Sequence, residues 1–165
     1  MRWLFAFSVL LVAVLVNSTT YAQQLENTYG DWNVYTIKQH GKKVCYIASG
    51  PVKKTGNYSK RGDPYLLVTH VGVSVDEVSA NSGYPYKKGV EVKAAIDGRK
   101  FNMFTKGEHS WAYDTPQDRK MITKMKAGAK MTVRGTSRKG TYSIDTYSLK
   151  GFTKAYKRMK GLCRA

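Results

Sequence analysis

Three histidines, two cysteines and a large surplus of cations are the residues of this chain whose types could do chemistry. His40, His70 and His109 stand far apart, with no second His or Cys at metal-ligand spacing beside any of them. A metal site needs several such ligands converging, so these read as ordinary surface or core histidines and no metal is expected. Ser110 follows His109, yet neither a Gly-x-Ser-x-Gly elbow nor a glycine-rich phosphate loop is present. Acyl transfer and nucleotide chemistry lack their scaffolds, and the chain reads as a non-enzyme that needs no cofactor. Cys45 and Cys163 are too far apart in sequence for the Cys-x-x-Cys geometry that tunes thiolate reactivity, which favours a structural bridge.

The cations are the stronger signal. Lys and Arg number 28 against 11 Asp and Glu, a net charge of +17. Such an excess attracts polyanions over roughly 8 Å at physiological salt. It collects in a loop with Lys53, Lys54, Lys60 and Arg61, at a connection with Lys87 and Lys88, and near the C-terminus with Lys154, Lys157, Arg158 and Lys160. These are the candidate binding residues. Tyrosines interleave with them, Tyr58 before Lys60 and Arg61, Tyr84 and Tyr86 before Lys87, in a pattern that suits glycan or protein contacts. The bland alternative for each group is a solvated face.

The N-terminus says where these charges would act. Arg2 precedes an apolar run from Leu4 to Val16 broken only by Ser8, and a polar stretch then ends at Ala22, with Thr20 and Ala22 at the small-residue positions before a cleavage point. This is the order of a signal peptide, and a run this short falls below the roughly 20 residues of a membrane span. Residues 1–22 are therefore read as a cleaved leader, and the 165-residue chain less these 22 leaves 143, one domain's worth. Loss of Arg2 leaves +16. Export argues against nucleic acid and for lipid head groups, acidic glycans or acidic proteins as partners, with peripheral membrane attachment at most. In an oxidising compartment Cys45 and Cys163 should pair, closing a loop of 118 positions. The chain-entropy model gives such a loop about 4 to 5 kcal/mol.

Stepping through the mature chain, residues 32–37 and 44–47 alternate and form a hairpin, 50–64 reads as a basic loop, and 65–71 as a buried strand that 75–78 extends or restarts. Val90, Val92, Ala94 and Ile96 alternate into Asp97-Gly98, whose residues tolerate positive φ, and Phe101 and Met103 return on the partner strand. Asp114-Thr115-Pro116 starts a helix with Met121, Ile122 and Met125 on one face and Gly128 at its end. Strands follow over 131–136 and 141–149. A last amphipathic helix over 151–160 has Phe152, Ala155, Tyr156 and Met159 inside and a cationic outside. Short strands between turn signals, with only two short helices, predict an all-β sandwich in preference to a barrel.

Several of these blocks together resemble the invasion-associated locus B family of bacterial secreted proteins. They are Gly30-Asp31-Trp32 before a lone strand cysteine, Gly83-Tyr84-Pro85 before Lys88-Gly89, Trp111-Ala112, and Met125-Lys126 with Gly128. Further on come Arg134 to Ser137, Lys139-Gly140-Thr141, Asp145 to Phe152 and a final cysteine. The resemblance runs from about Gly30 to Cys163. It implies an immunoglobulin-like β-sandwich, a periplasmic, outer-membrane-associated or secreted address, and a link in some pathogens to entry into host cells, red cells in particular. The same family occurs in bacteria that invade nothing. It offers no catalytic residues to carry over, and both of its cysteines are matched by Cys45 and Cys163. The expectation is an exported binding or adhesion protein, with a structural envelope protein that supports the outer membrane as the alternative.

Overall fold

A computed structural model of the chain describes residues 23–71 and 75–163, and the leader read over residues 1–22 lies outside them. Among the described residues the elements run β1 (Gln24–Tyr29), β2 (Trp32–Gln39), β3 (Lys42–Ser49), β4 (Lys53–Gly56), β5 (Tyr65–Val71), β6 (Val75–Asn81), β7 (Val92–Ile96), β8 (Arg99–Lys106) and β9 (His109–Trp111). The helix α1 (Thr115–Ala127) follows, then β10 (Lys130–Thr136), β11 (Tyr142–Ser148) and α2 (Phe152–Cys163). All strand pairs are antiparallel, in the order β1-β2-β3-β5-β6-β9-β8-β7-β10-β11-β4. The sheet turns at β8, where Arg99–Met103 pair with β7 and Phe104–Lys106 pair with β9. The mainly-β class, the two helices and the bridge are as the sequence predicts. The finer immunoglobulin-like detail is not confirmed by this order, in which eleven strands follow one another through the turn at β8.

Alternation places one side of each half of the sheet in a shared core. Trp32, Val34, Cys45, Ile47, Leu66, Val68 and Val78 meet Val92, Ala94, Met131, Val133 and Tyr147 there. Trp32 is fully buried; its indole N–H donates to the Ser148 carbonyl at 3.0 Å and its ring meets Phe152 edge-on at 4.9 Å. One side chain thus ties the start of β2 to the end of β11 and to α2, with its polar atom satisfied.

Both helices close the core and have identifiable starts and stops. Asp114 caps α1 by accepting the Gln117 amide at 2.7 Å, Pro116 sits in the first turn, and Met121, Ile122 and Met125 are buried. The apolar face of α2, Phe152, Ala155 and Met159, packs over β2 and β3, and Cys163 bonds Cys45 with their Cα atoms 6.0 Å apart. The β7–β8 hairpin turns on Asp97 and Gly98 at φ 42° and 87°, the left-handed pair that matches strand twist. At Gly135 a Cβ would lie 2.5 Å from the Tyr86 ring, so only glycine lets β10 pass that close.

Both edge strands differ from the sequence reading. The segment 50–64 is not all loop, because β4 pairs along β11 from Lys53 opposite Thr146 to Gly56 opposite Ser143. Its residues are all exposed, so no apolar alternation marks it, and backbone pairing to β11 alone makes it a strand. The other is β1, whose QLENTY likewise lacks alternation and which lies at the opposite edge of the sheet.

Candidate functional site

The cations singled out from the sequence do not form one surface. Lys53 and Lys54 lie on the β4 edge, Lys87 and Lys88 on a turn, and Lys154 and Lys157 on the outer side of α2, all exposed. Arg158 is exposed as well, its Nε donating to Asn27 Oδ1 at 3.0 Å. Lys60 lines a depression of about 200 Å³ with Arg138 and Lys139.

Arg61 and Lys160 are corrections, since neither faces a ligand. The Arg61 guanidinium forks onto Asp145, Nη1 donating to Oδ2 at 2.8 Å and Nη2 to Oδ1, with the two side chains 3% and 0% exposed. Its Nη1 also donates to the Ser82 carbonyl at 3.0 Å, and the group lies over the Tyr58 ring. Lys160 Nζ donates to Asp76 at 3.0 Å and 3.1 Å; Asp76 also accepts from the Tyr156 hydroxyl at 2.5 Å and from His70 Nδ1 at 2.6 Å. Burial alone would raise the Asp76 carboxyl, but these donors hold it below its ordinary value. The reason in both cases is the same: a carboxylate from a strand distant in sequence reaches the cation where it is buried or nearly so, Lys160 being 14% exposed.

A denser group of cations, unmarked by any sequence run, lies where α1 meets the β7–β8 hairpin. Arg99 and Phe101 of β8 face Arg119, Lys120, Thr123 and Lys124 of α1 across a shallow groove of about 580 Å³, with exposed Pro116 also in its lining. The groove continues into a second depression of about 520 Å³ that shares Arg99, Phe101, Pro116 and Lys120 and adds Lys100, Asn102, Tyr113 and Gln117 together with two acids, Glu91 and Asp114. Its walls are tied at both ends. Gln117 Nε2 donates to the Asn102 carbonyl at 2.6 Å, and Asp97 accepts the Ala129 and Lys130 amides at 2.8 Å and 3.2 Å.

Two acids, Glu91 and Asp114, line the second depression, and the acids of this region accept from groups other than the groove cations. Asp97 and Asp114 hold backbone amides, as above. Asp118, on the inner face of α1, accepts the Val78 amide at 2.8 Å, and burial pushes its carboxyl up to about 6. Glu91 takes the Tyr113 hydroxyl at 2.7 Å and Lys93 at 3.2 Å, which hold it below its ordinary value. Among the described residues, Arg99, Lys100, Arg119, Lys120 and Lys124 make no ion pair. Lys120 and Lys124 are one helical turn apart, a like-charge spacing that costs a helix a few tenths of a kcal/mol.

The histidines and Ser110 sit in structural settings. His70 belongs to the Asp76 cluster, and His109 Nε2 lies 3.1 Å from the Tyr65 hydroxyl with its ring stacked on Trp111. Ser110 Oγ is fully buried and donates to the Ala80 carbonyl at 3.3 Å. No group of three or more His, Cys, Asp or Glu side chains among the described residues is placed to hold a metal ion.

Residues 32–160 match the family model described as invasion associated locus B protein. The chain belongs to the invasion-associated locus B family. A crystal structure of invasion associated protein B from Bartonella henselae is similar to it, with a TM-score of 0.62 and 18% sequence identity over 86% of this chain and 100% of that one. An identity this low shows the shared fold. No curated protein matches the chain.

In this member of the invasion-associated locus B family the matched stretch contains both walls of the groove and Cys45, and ends three residues before Cys163. The outer face of β2, β3 and β5 is of another kind. Tyr35 stacks on Tyr46 at 5.2 Å, and Ile37, Val44, Tyr65 and Leu67 complete an uncharged depression. Beyond it His109, Trp111, Phe104 and Tyr113 continue the row of rings. No helix among the described residues is long and apolar enough to cross a membrane.

Proposed function

We propose that this protein is an exported, non-enzymatic binding module of the invasion-associated locus B family that engages anionic surfaces by charge. The observation that carries the reading is the division of labour between its acids and its cations. Its acids around α1 and the β7–β8 hairpin hold backbone amides, a lysine and a hydroxyl, while among the described residues five neighbouring cations are exposed and make no ion pair. The leader and the Cys45–Cys163 bridge support an oxidising address, where phosphates of lipid head groups and the sulfates and carboxylates of glycans are the available anions. The family's description supports counting a host-cell surface among them.

Retention of the purified protein on heparin and on anionic vesicles tests this. Binding should be strong near 0.1 M salt, where screening acts over about 10 Å, and be lost toward 1 M, where it acts over about 3 Å. Zwitterionic vesicles should not retain the protein. Retention that ignores salt, or none on any anionic surface, defeats the reading.

A further inference from the structure

We propose that the groove between α1 and the β7–β8 hairpin is a binding site for an acidic polysaccharide. This deepens the reading above and rests on it: that reading requires only a positive field, whereas this one names a place and a ligand class.

Three features of the groove select the ligand. First, it is preformed. The Gln117 bond to Asn102 and the Asp97 bonds to Ala129 and Lys130 fix helix against hairpin at both ends, so little ordering cost falls on binding. Second, its cations are unpaired: among the described residues Arg99, Arg119, Lys120 and Lys124 make no ion pair, and the nearby carboxylates of Asp97, Asp114 and Asp118 accept backbone amides instead. Third, its lining has apolar surface. Half-buried Phe101 and exposed Pro116 line it beside the cations. A ligand that satisfies all three must carry anionic groups on a body with an apolar face, and a sugar ring with sulfate, phosphate or carboxylate substituents does so. Its C–H face can lie on Phe101 while its charged groups reach the guanidinium and ammonium groups on either side.

The second depression extends the match. Beyond Lys120 the lining is mixed, with Asn102, Gln117 and half-exposed Tyr113 beside Lys100 and the carboxylates of Glu91 and Asp114. Such a change along one groove suits a chain in which an uncharged sugar follows a charged one, the hydroxyls of the former meeting the amide, phenol and carboxylate groups. A membrane fits less well. The cations line a shallow depression between a helix and a hairpin, and a flat layer of head groups would meet the exposed cations without covering the partly buried Phe101 ring as a sugar ring would.

The test uses protein purified after export of the full chain, heparin oligosaccharides as the probe, and isothermal titration at low and high salt. Two charge reversals of equal size are compared, Arg119→Glu with Lys120→Glu in the groove and Lys154→Glu with Lys157→Glu on α2. The groove pair should weaken heparin binding by about ten- to a hundredfold, and the α2 pair by no more than about threefold. Phe101→Ala should cost about three- to tenfold, and that loss should persist at high salt, because the stacking contribution is not screened. Far-ultraviolet circular dichroism and a thermal melt of each variant confirm folding; the four reversed residues are exposed, so they keep the test alive if Phe101→Ala unfolds. Equal losses from both reversals would overturn the groove and leave only a diffuse field, with the broader reading intact. Groove-dependent binding to anionic vesicles without heparin binding would overturn the polysaccharide and assign a membrane. No binding of the unaltered protein to heparin or to vesicles would remove both readings.

Discussion

Arg61 and Arg119 belong to the same excess of positive charge and behave in opposite ways. Arg61 is enclosed, forked onto Asp145 and laid over Tyr58, and acts as part of the fold. Arg119 lies along a groove with Arg99, Lys120 and Lys124 and makes no ion pair among the described residues. Lys160, held by Asp76, stands with Arg61, and Lys154 and Lys157 on the same helix stand with the exposed group. What separates the classes is whether a carboxylate from a distant strand arrives at the cation. Net charge therefore overstates the binding surface, and the location of the acids defines it.

The comparison is most open to attack at Asp145. Asp145→Ala should destabilise the protein by about 3 to 5 kcal/mol, because it leaves the Arg61 charge buried without a partner. Replacing both partners by apolar residues of similar size should recover much of that loss. Equilibrium denaturation measures both. A loss below about 1 kcal/mol for the single substitution would mean that Arg61 reaches solvent and belongs with the exposed group.

Acids that do structural work should also give themselves away in pH dependence, with two signs. The folded-state carboxyl of Asp118 is raised to about 6, so the folded protein holds that proton more tightly than the unfolded chain. Stability from this group is greatest below its unfolded value and falls as pH rises toward 6, because the charge must then be carried in a buried place. Asp118→Asn keeps an oxygen for the Val78 amide and removes the charge; near neutral pH it should stabilise the protein by on the order of 2 kcal/mol and flatten the slope between about pH 4 and 6. Asp76 has the opposite sign. Its folded-state value is lowered, so its contribution is present above the unfolded value and is lost as pH falls through the folded one. An Asp118→Asn protein with an unchanged stability profile would show that Asp118 is hydrated and not part of the buried set.

The smallest effect is expected where binding is assigned. Arg119→Glu with Lys120→Glu should change the stability by no more than about 0.5 kcal/mol, since neither side chain has a partner to lose. A loss comparable to that from Asp145→Ala would place the groove cations in the fold and erase the distinction.

Much of this architecture can be read from local pattern. Asp97-Gly98 marks the hairpin, Asp114 and Gly128 bracket α1, and the two cysteines name their own bridge. Where the signal is not local, reading fails for physical reasons. β4 has KKTG and no apolar side to bury, so only its backbone bonds to β11 define it. Arg61 and Asp145 are 84 positions apart, as are Asp76 and Lys160, and no window along the chain shows that either pair will meet. The groove is hidden for the same reason. Arg99 follows a turn and Arg119 lies in a helix, each unremarkable alone, and packing of α1 against the hairpin brings them to one cleft. The runs that stand out in sequence, such as Lys53-Lys54 and Lys87-Lys88, stand out only because their charges are adjacent in the chain.

The bond between Cys45 and Cys163 also bears on what a peptidase could do to this molecule. A cut in the lysine-bearing stretch between β3 and β5 would divide the polypeptide into an amino-terminal piece ending shortly after Cys45 and a longer remainder. Because the sulfurs join positions 118 apart, those pieces would travel as one particle, still zipped along β3 and β5. Such a nicked form would show two bands on a gel only after a reducing agent had been added.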